Sequence, residues 1–325
     1  MMTISPAPSL VHAAFLAPRA SKPKPTPTPT HGAASATAYA AGLTAYKRND
    51  FASAIGQFGK AIGANPRLAR AYYWRGLAHY ALAQYSAAAS DESTDLKLEP
   101  AYASAYFWRA KAYFRLGLYQ AALDDYTRAI ARDGKDEVSY VNRGLTRERL
   151  RDDAGALVDY TKALSLNPRD EVALVDRGTA HARLGQFTLA VTDYTGALKL
   201  DAKDEIAYFN RGYVYEAQHN YRGAFADYTR ALALDPGDTL AYFNRGFARE
   251  GLKDYTGAIG DFSIYITRVP ADGDGYLHRG LNRAALKLYT LARADLNKAV
   301  MLYKKSGAQT GLKEAQAALA RLPAR

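Results

Sequence analysis

A short phrase recurs along this chain at a fixed interval, and that interval restricts the possible folds more than any other feature. Asn-Arg-Gly occurs at residues 142–144, 210–212 and 244–246, and related phrases extend the series in both directions. The small residues of the series lie 34 positions apart, at Gly42, Gly76, Ala110, Gly144, Gly178, Gly212, Gly246 and Gly280. A constant period without insertions indicates a repeat architecture, in which each unit stacks on its neighbours.

A second small residue follows each member of this series by twelve positions. It is alanine in all eight repeats, at Ala54, Ala88, Ala122, Ala156, Ala190, Ala224, Ala258 and Ala292. Apolar residues within each repeat have helical spacing, and a turn separates two helical stretches. Small residues at both positions allow two antiparallel helices to approach closely. Proline can end one helix and begin the next, and it closes five repeats, at Pro66, Pro100, Pro168, Pro236 and Pro270.

This pattern of glycine, aromatic residues, alanines and a terminal proline in a 34-residue period resembles the tetratricopeptide repeat (TPR). One repeat reads Tyr208, Gly212, Tyr215, Tyr221, Ala224, Tyr228, Ala231 and Pro236. The resemblance covers residues 35–306. It implies an all-α fold, a TPR α-solenoid that forms a right-handed superhelix of helical hairpins, with a C-terminal capping helix.

The sequence predicts three segments. Residues 1–34 are predicted to form a disordered Pro/Thr/Ala-rich leader or linker. Residues 307–325 are predicted to hold a capping helix and tail, because residues 308–322 have an amphipathic pattern that can cover the last hairpin. Between them lie eight TPR units, at 35–68, 69–102, 103–136, 137–170, 171–204, 205–238, 239–272 and 273–306. Six residues depart from the repeat pattern: Glu92 replaces an aromatic residue, Asp95 and Tyr265 replace an alanine, and Gly134, Ala202 and Lys304 replace the terminal proline. We expect these departures to affect local packing and not the fold.

The leader differs in composition from the rest of the chain. Residues 1–34 contain no Asp or Glu, residues 9–17 form a short apolar run, and proline alternates through residues 22–30. Alternating proline predicts extended polyproline II backbone. The leader fits an export signal with a spacer, although no basic residue precedes the apolar run; it also fits an organelle transit peptide or a disordered tail. The sequence slightly favours the cytoplasm, and it predicts an exported, periplasmic location if residues 1–20 act as a signal.

Composition excludes several kinds of site. The chain has no cysteine, so it has no disulfide, thiolate metal site or cysteine nucleophile. It contains no P-loop, dinucleotide-binding glycine motif, H-E-x-x-H or G-x-S-x-G motif, and none of its six histidines has a second ligand at metal-binding spacing. No apolar run approaches the ~18 residues of a membrane span. We predict no enzyme, no cofactor, no metal and no small-molecule substrate.

The formal net charge of +11 favours acidic partners or an anionic surface. Because the Lys and Arg residues are spread along the chain, the charge alone is weak support for nucleic-acid binding.

Arginine and aspartate recur together in seven repeats. Arginine precedes the small residue of the first series, and aspartate follows that arginine by sixteen positions; the first repeat has neither, with Ala41 and Gln57 there. A guanidinium and a carboxylate can pair through two hydrogen bonds. We therefore predict a structural ladder formed by Arg75 and Asp91, Arg109 and Asp125, Arg143 and Asp159, Arg177 and Asp193, Arg211 and Asp227, Arg245 and Asp261, and Arg279 and Asp295.

The resemblance also implies a binding face, because the first helix of each TPR hairpin lines a concave groove. Carried onto this chain, the groove positions hold Tyr73, Trp74, Phe107, Trp108, Asn142, Asp176, Phe209, Asn210, Tyr213, Phe243, Asn244 and Phe247. We expect an adaptor or scaffold that binds a peptide segment or a partner helix, since asparagine can pair with an extended backbone and aromatic residues supply contact area. The alternatives are aromatic residues that only pack between helices, an exported envelope or assembly scaffold, and RNA binding by the basic surface.

Overall fold

The computed structural model describes residues 32–323, which form seventeen α-helices and fall into two compact units. The N-terminal unit, residues 32–184, contains α1 (Ala33–Lys47), α2 (Phe51–Ala64), α3 (Ala69–Ala81), α4 (Tyr85–Leu98), α5 (Ala103–Arg115), α6 (Tyr119–Arg132), α7 (Glu137–Arg149), α8 (Asp153–Leu166) and α9 (Glu171–Arg183). The C-terminal unit, residues 185–323, contains α10 (Phe187–Leu200), α11 (Glu205–Ala217), α12 (Tyr221–Leu234), α13 (Thr239–Gly251), α14 (Tyr255–Arg268), α15 (Gly273–Ala285), α16 (Tyr289–Ser306) and α17 (Gln309–Arg321). Consecutive helices pack against each other within each unit.

A left-handed residue makes the turn inside each hairpin. It recurs every 34 residues, at Asn49, Ala83, Gly117, Arg151, Gly185, His219, Lys253 and Lys287, and only two of these are glycine. In turns of both units the next amide closes a six-residue loop onto the first helix, as where Gln84 N–H donates to the His79 carbonyl and Asn220 N–H donates to the Tyr215 carbonyl. This is the hydrogen bond of a Schellman cap, which satisfies a free carbonyl at a helix end. The turn keeps its conformation without glycine at six positions because both flanking helices hold it.

The two small-residue series form the contact inside each hairpin. Ala54, Ala156 and Ala224 are fully buried. A Cβ atom added to Gly144 would lie 2.7 Å from a ring carbon of Tyr160, so the first helix approaches that ring as closely as glycine allows. Seven repeats bury a large apolar residue at the position of Tyr160: Phe58, Tyr126, Tyr160, Tyr194, Tyr228, Phe262 and Leu296. The core is therefore a row of rings and alanines between the first and second helices.

The last hairpin is covered by α17, as the amphipathic pattern predicts. Its Leu312 and Leu319 pack against the cluster that contains Leu277, Leu296 and Tyr303 of α15 and α16. The capping helix thus buries apolar surface that no further repeat would cover.

Six of the seven Arg–Asp pairs lie in contact within their own hairpins. In each, the guanidinium donates two parallel hydrogen bonds to the carboxylate, from Arg75 to Asp91, Arg109 to Asp125, Arg143 to Asp159, Arg211 to Asp227, Arg245 to Asp261 and Arg279 to Asp295. Arg177 and Asp193 belong to different units, and their pairing stays a prediction.

The ladder arginines also reach the preceding repeat. Arg109 Nη1 donates to the Ser93 hydroxyl at 3.1 Å, and Arg211 Nη1 donates to the Thr195 hydroxyl at 2.9 Å. Arg143 and Arg279 make the equivalent contacts with Thr127 and Ser263. One guanidinium therefore ties the two helices of its hairpin to each other and to the hairpin before it.

The departures at Glu92 and Asp95 place two carboxyl groups in the core of the second hairpin. Both side chains are buried, and none of their four oxygens has a hydrogen-bond partner within residues 32–323. The nearest cation is Arg70, 3.7 Å from Asp95, but this guanidinium also pairs with Glu99 at 2.6 Å and stacks on the Tyr102 ring. Burial raises the pKa of Asp95 to about 7 and the pKa of Glu92 well above its usual range. The α4 helix nevertheless keeps the length of its counterparts α6 and α8.

Asp125→Ala should destabilise the chain by about 3 kcal/mol, because it leaves the Arg109 guanidinium without its buried carboxylate. The neighbouring Asp124→Ala is the matched control: Asp124 is exposed and accepts a hydrogen bond from the exposed Gln120, so its loss should change stability by less than about 0.5 kcal/mol. Urea unfolding followed by circular dichroism compares the two. Equal midpoints would show that the ladder does not stabilise the hairpin.

Asp95→Asn should stabilise the chain at pH 8 and have little effect at pH 4. The folded pKa of Asp95 lies above its unfolded value, so the stability contributed by the protonated form is lost as pH rises toward about 7. Three pKa units correspond to about 4 kcal/mol, which is the expected gain at pH 8. Urea unfolding at both pH values measures it. A gain of the same size at pH 4 would contradict ionisation as the cause.

Candidate functional site

All twelve predicted groove residues lie on the first helices of their hairpins, six in each unit. Seven are buried: Tyr73, Phe107, Asn142, Asp176, Phe209, Asn210 and Asn244. The other five are half-buried: Trp74, Trp108, Tyr213, Phe243 and Phe247. A partner that reaches these helices would thus meet the half-buried aromatic residues, and the buried residues would form the layer beneath them.

In the N-terminal unit, aromatic side chains repeat the same contact from one hairpin to the next. The ring centroids of Tyr46 and Trp74 are 5.1 Å apart, and those of Tyr80 and Trp108 are 5.3 Å apart, both edge to face. Phe114 occupies the equivalent place on α5. We call Tyr46, Trp74, Tyr80, Trp108 and Phe114 the aromatic row. Tyr46, Tyr80 and Phe114 occupy one repeat position in three successive first helices.

Lys111 brings a positive charge into this aromatic row. Its ammonium lies 4.7 Å from the centre of the Trp108 ring, 5.3 Å from that of Tyr80 and 5.7 Å from that of Phe107. Such cation–π contacts are favourable when the cation is desolvated. Burial, and then the charge of Arg115, lower the pKa of Lys111 to about 8. Arg115 itself is exposed and lies over the Tyr85 ring at 4.7 Å.

The last two first helices of the N-terminal unit carry buried acids instead. Glu148 accepts a hydrogen bond from the Tyr160 hydroxyl at 3.1 Å and pairs with Arg183 at 2.9 Å. Asp176 is fully buried, and its Oδ2 has no hydrogen-bond partner among the described residues. Burial raises the pKa of both carboxyl groups. Asp176 was predicted as a groove residue, whereas the interior position of Glu148 could not be read from its charge.

In the C-terminal unit, the predicted asparagines have unused amide donors. Nδ2 of Asn210 and Nδ2 of Asn244 are buried and have no acceptor in hydrogen-bonding geometry within residues 32–323, although Asn244 lies beside the Tyr228 hydroxyl. That hydroxyl donates to Glu216 at 3.2 Å. Burial raises the pKa of Glu216 to about 7. The asparagines therefore retain donor capacity on the same helices as the half-buried aromatics.

Glu250 and His278 form a second polar contact in the C-terminal unit. Glu250 lies 3.1 Å from the ring nitrogen Nδ1 of His278 and accepts a hydrogen bond from Asn282 at the same distance. Burial alone would lower the pKa of His278, but the adjacent Glu250 carboxylate outweighs it and raises the pKa. The His278 ring also stacks on Phe262 and contacts Phe243 and Phe247 edge to face. These contacts hold the predicted residues Phe243 and Phe247 in place.

The described residues contain no cluster of three His, Asp or Glu side chains that could hold a metal ion. No helix among them is both long enough and apolar enough to span a membrane.

Comparison with known protein families assigns the repeats. One TPR model matches residues 39–94 and 175–239, and a second matches residues 103–136. The chain is a tetratricopeptide repeat protein. The predicted all-α fold of tandem hairpins with a capping helix is confirmed, while the right-handed superhelix remains an implication of the family resemblance. No curated protein matches the sequence significantly.

Solved structures share the fold at low sequence identity. The C-terminal part of a TPR protein from Cytophaga hutchinsonii matches with a TM-score of 0.62 and 19% identity, covering 73% of this chain and 97% of that one. A TPR protein from Parabacteroides merdae has a TM-score of 0.57 and 21% identity, covering 76% of this chain and 98% of that one. YrrB, described as a TPR protein with an unusual peptide-binding site, has a TM-score of 0.51 and 23% identity, covering 57% of this chain and 95% of that one.

The fluorescence of Trp108 should titrate with an apparent pKa of about 8, because the Lys111 ammonium over its ring loses its charge there. Trp74 and Trp108 are the two tryptophans of the chain, so Trp74→Phe isolates the signal of Trp108. A pH titration of that variant should show the transition, and adding Lys111→Met should abolish it. If the transition persists without Lys111, another group near Trp108 is responsible.

Proposed function

We propose that this TPR protein is a binding scaffold without catalytic activity, and that it holds an extended segment of a partner protein on the first helices of its hairpins. TPR proteins as a class bind proteins and peptides, and YrrB shows that the fold accommodates a peptide-binding site. The proposal is more specific than the family assignment, because it names the face and the residues that bind.

The unused donors of Asn210 and Asn244 are the observation that carries the proposal. The two residues are 34 positions apart and occupy the same place on α11 and α13. A buried amide donor without an acceptor is destabilising, by about 1–3 kcal/mol. An extended backbone that lies across these helices would supply carbonyl acceptors at both places, and side-chain amides can bind a backbone without reading its side chains.

The half-buried aromatics supply the apolar part of the same surface. Tyr213 and Phe247 lie one turn after Asn210 and Asn244 on their helices, and Phe243 directly precedes Asn244. Aromatic residues dominate the energy of many protein interfaces when they are already fixed before binding. Here Phe243 is fixed by contacts with Phe262, Tyr265 and His278. The aromatic part of the surface is thus fixed before binding, whereas the buried amides of Asn210 and Asn244 become accessible to a partner backbone only after neighbouring side chains move.

Asn210→Ala with Asn244→Ala should weaken peptide binding at least about tenfold, because each amide hydrogen bond contributes about 1 kcal/mol and about 1.4 kcal/mol is a factor of ten. The probes are short peptides selected from a random phage-displayed library on the full chain, synthesised and measured by fluorescence anisotropy. The variant must first give the helical circular dichroism and unfolding midpoint of the wild type.

Asn297→Ala is the matched control for this experiment. Asn297 is exposed on α16, a second helix of the C-terminal unit, and its loss should not change the affinity. If the double variant and the control bind the selected peptides equally well, and Phe243→Ala also leaves binding unchanged, the first helices are not the binding face. Selected peptides whose binding survives in both variants but is lost on Phe243→Ala would keep the face and remove the role of the asparagines.

A further inference from the structure

The first helices of the first three hairpins carry no acidic residue. The helices α1, α3 and α5 contain no Asp or Glu. The single helix α5 carries three basic residues, Arg109, Lys111 and Arg115. Arg109 is part of the ladder, which leaves Lys111 and Arg115 beside the aromatic row. The other first helices of the N-terminal unit differ, since α7 carries Glu148 and α9 carries Asp176. The first helices of these three hairpins therefore present aromatic side chains with no carboxylate among them, and the exposed positive charge of Arg115 lies on α5.

From this surface we infer that the aromatic row, with Lys111 and Arg115, binds an acidic segment of a partner protein. The inference rests on the proposed function and names the chemistry of one of its sites. A carboxylate of the segment pairs with the exposed Arg115 guanidinium, with the charge of Lys111 beneath it. Apolar side chains of the segment pack on the half-buried Trp74 and Trp108.

The chemistry of Lys111 supports an anionic occupant. Its ammonium is buried, lies on three aromatic rings and is close to the like charge of Arg115. A carboxylate bound at Arg115 would offset this repulsion and favour the charged form of Lys111. The corresponding position on α1, α3 and α7 is the apolar Leu43, Leu77 and Leu145, so the hairpin fold does not require a cation there.

Two other occupants fit the surface less well. Single-stranded nucleic acid binds by stacking bases on open aromatic faces. Here Lys111 covers a face of Trp108, and the rings of the row contact each other edge to face. The leader of this same chain is also poorly suited, because residues 1–34 contain no carboxylate side chain and include Arg19, Lys22 and Lys24. Charge complementarity selects a partner segment rich in Asp or Glu.

The test begins with the composition of the peptides selected from the random library. Peptides selected on the wild type should be enriched in Asp and Glu, and Arg115→Gln or Lys111→Met should weaken their binding about tenfold or more. Arg67→Gln is the matched control: it removes the same charge from the same unit at an exposed turn residue and should leave affinity unchanged. Replacing Glu by Gln in a selected peptide should have the same effect as Arg115→Gln.

Proton uptake separates a direct electrostatic role of Lys111 from a merely structural one. At pH 8 the Lys111 amine is about half protonated, so binding an acidic peptide should take up a fraction of a proton. Calorimetry in two buffers of different ionisation enthalpy measures this uptake. It should disappear in Lys111→Met even where weak binding remains, and an unchanged uptake in that variant would overturn the role of Lys111.

The outcomes distinguish this inference from the function on which it rests. Selected peptides without acidic enrichment, but sensitive to Asn210→Ala with Asn244→Ala, overturn the inference and leave the proposed function intact. A library that yields no binding peptide overturns both. Binding of a uridine oligonucleotide that is lost in Arg115→Gln, without binding of acidic peptides, assigns the surface to nucleic acid and overturns the inference.

Discussion

Outside the first hairpin, which has Ala41 and Gln57 at the ladder positions, the packing of each unit depends on the fork that a ladder arginine makes with its aspartate. A hairpin held only by alanine and ring contacts could rotate its helices about their axes with little change in buried area. The fork removes that freedom, because two parallel hydrogen bonds to a buried carboxylate are satisfied in one orientation. The remaining guanidinium nitrogen then binds a hydroxyl of the preceding hairpin, as from Arg109 to Ser93, and the same orientation passes to the next repeat.

This fixed orientation frees the outer positions of the first helices to vary. Since each repeat contacts only its neighbours, a substitution there affects one local interface and not the whole array. The chain uses this freedom differently in its two units. The N-terminal unit places Trp74, Trp108 and Lys111 on α3 and α5, whereas the C-terminal unit places Asn210, Tyr213 and Glu216 on α11. The same helical hairpin thus carries aromatic and basic side chains in the N-terminal unit, and amide, aromatic and acidic side chains in the C-terminal unit.

The 34-residue period and the amphipathic pattern after it made the hairpins, the capping helix and the Arg–Asp pairing predictable from sequence. Contacts between repeats and the conformation of the turns could not be predicted in this way. Arg109 lies sixteen residues from both Asp125 and Ser93, and only the folded backbone shows that it contacts both. The turn residues Arg151 and Lys253 are not residue types that favour a left-handed backbone, and the flanking helices impose it. The repeat positions predicted which helices carry the groove residues, but not how deeply each residue is buried. Burial depends on the neighbouring side chains, which leave Phe209 buried and Phe247 half-buried.

The second hairpin shows that this array tolerates a defect which a single compact core would not. Glu92 stands where seven other repeats bury an apolar or aromatic side chain, and no partner within the described residues satisfies it. In a repeat array the resulting loss of stability is confined to one hairpin and its interfaces, while neighbouring rings such as Phe58 and Tyr126 keep their packing. Departures from a local rule concentrate where function opposes stability. Glu92 lies on α4, which packs against the helices α3 and α5 that carry most of the aromatic row, so the hairpin with the buried carboxyl groups is also part of the candidate binding face of the N-terminal unit.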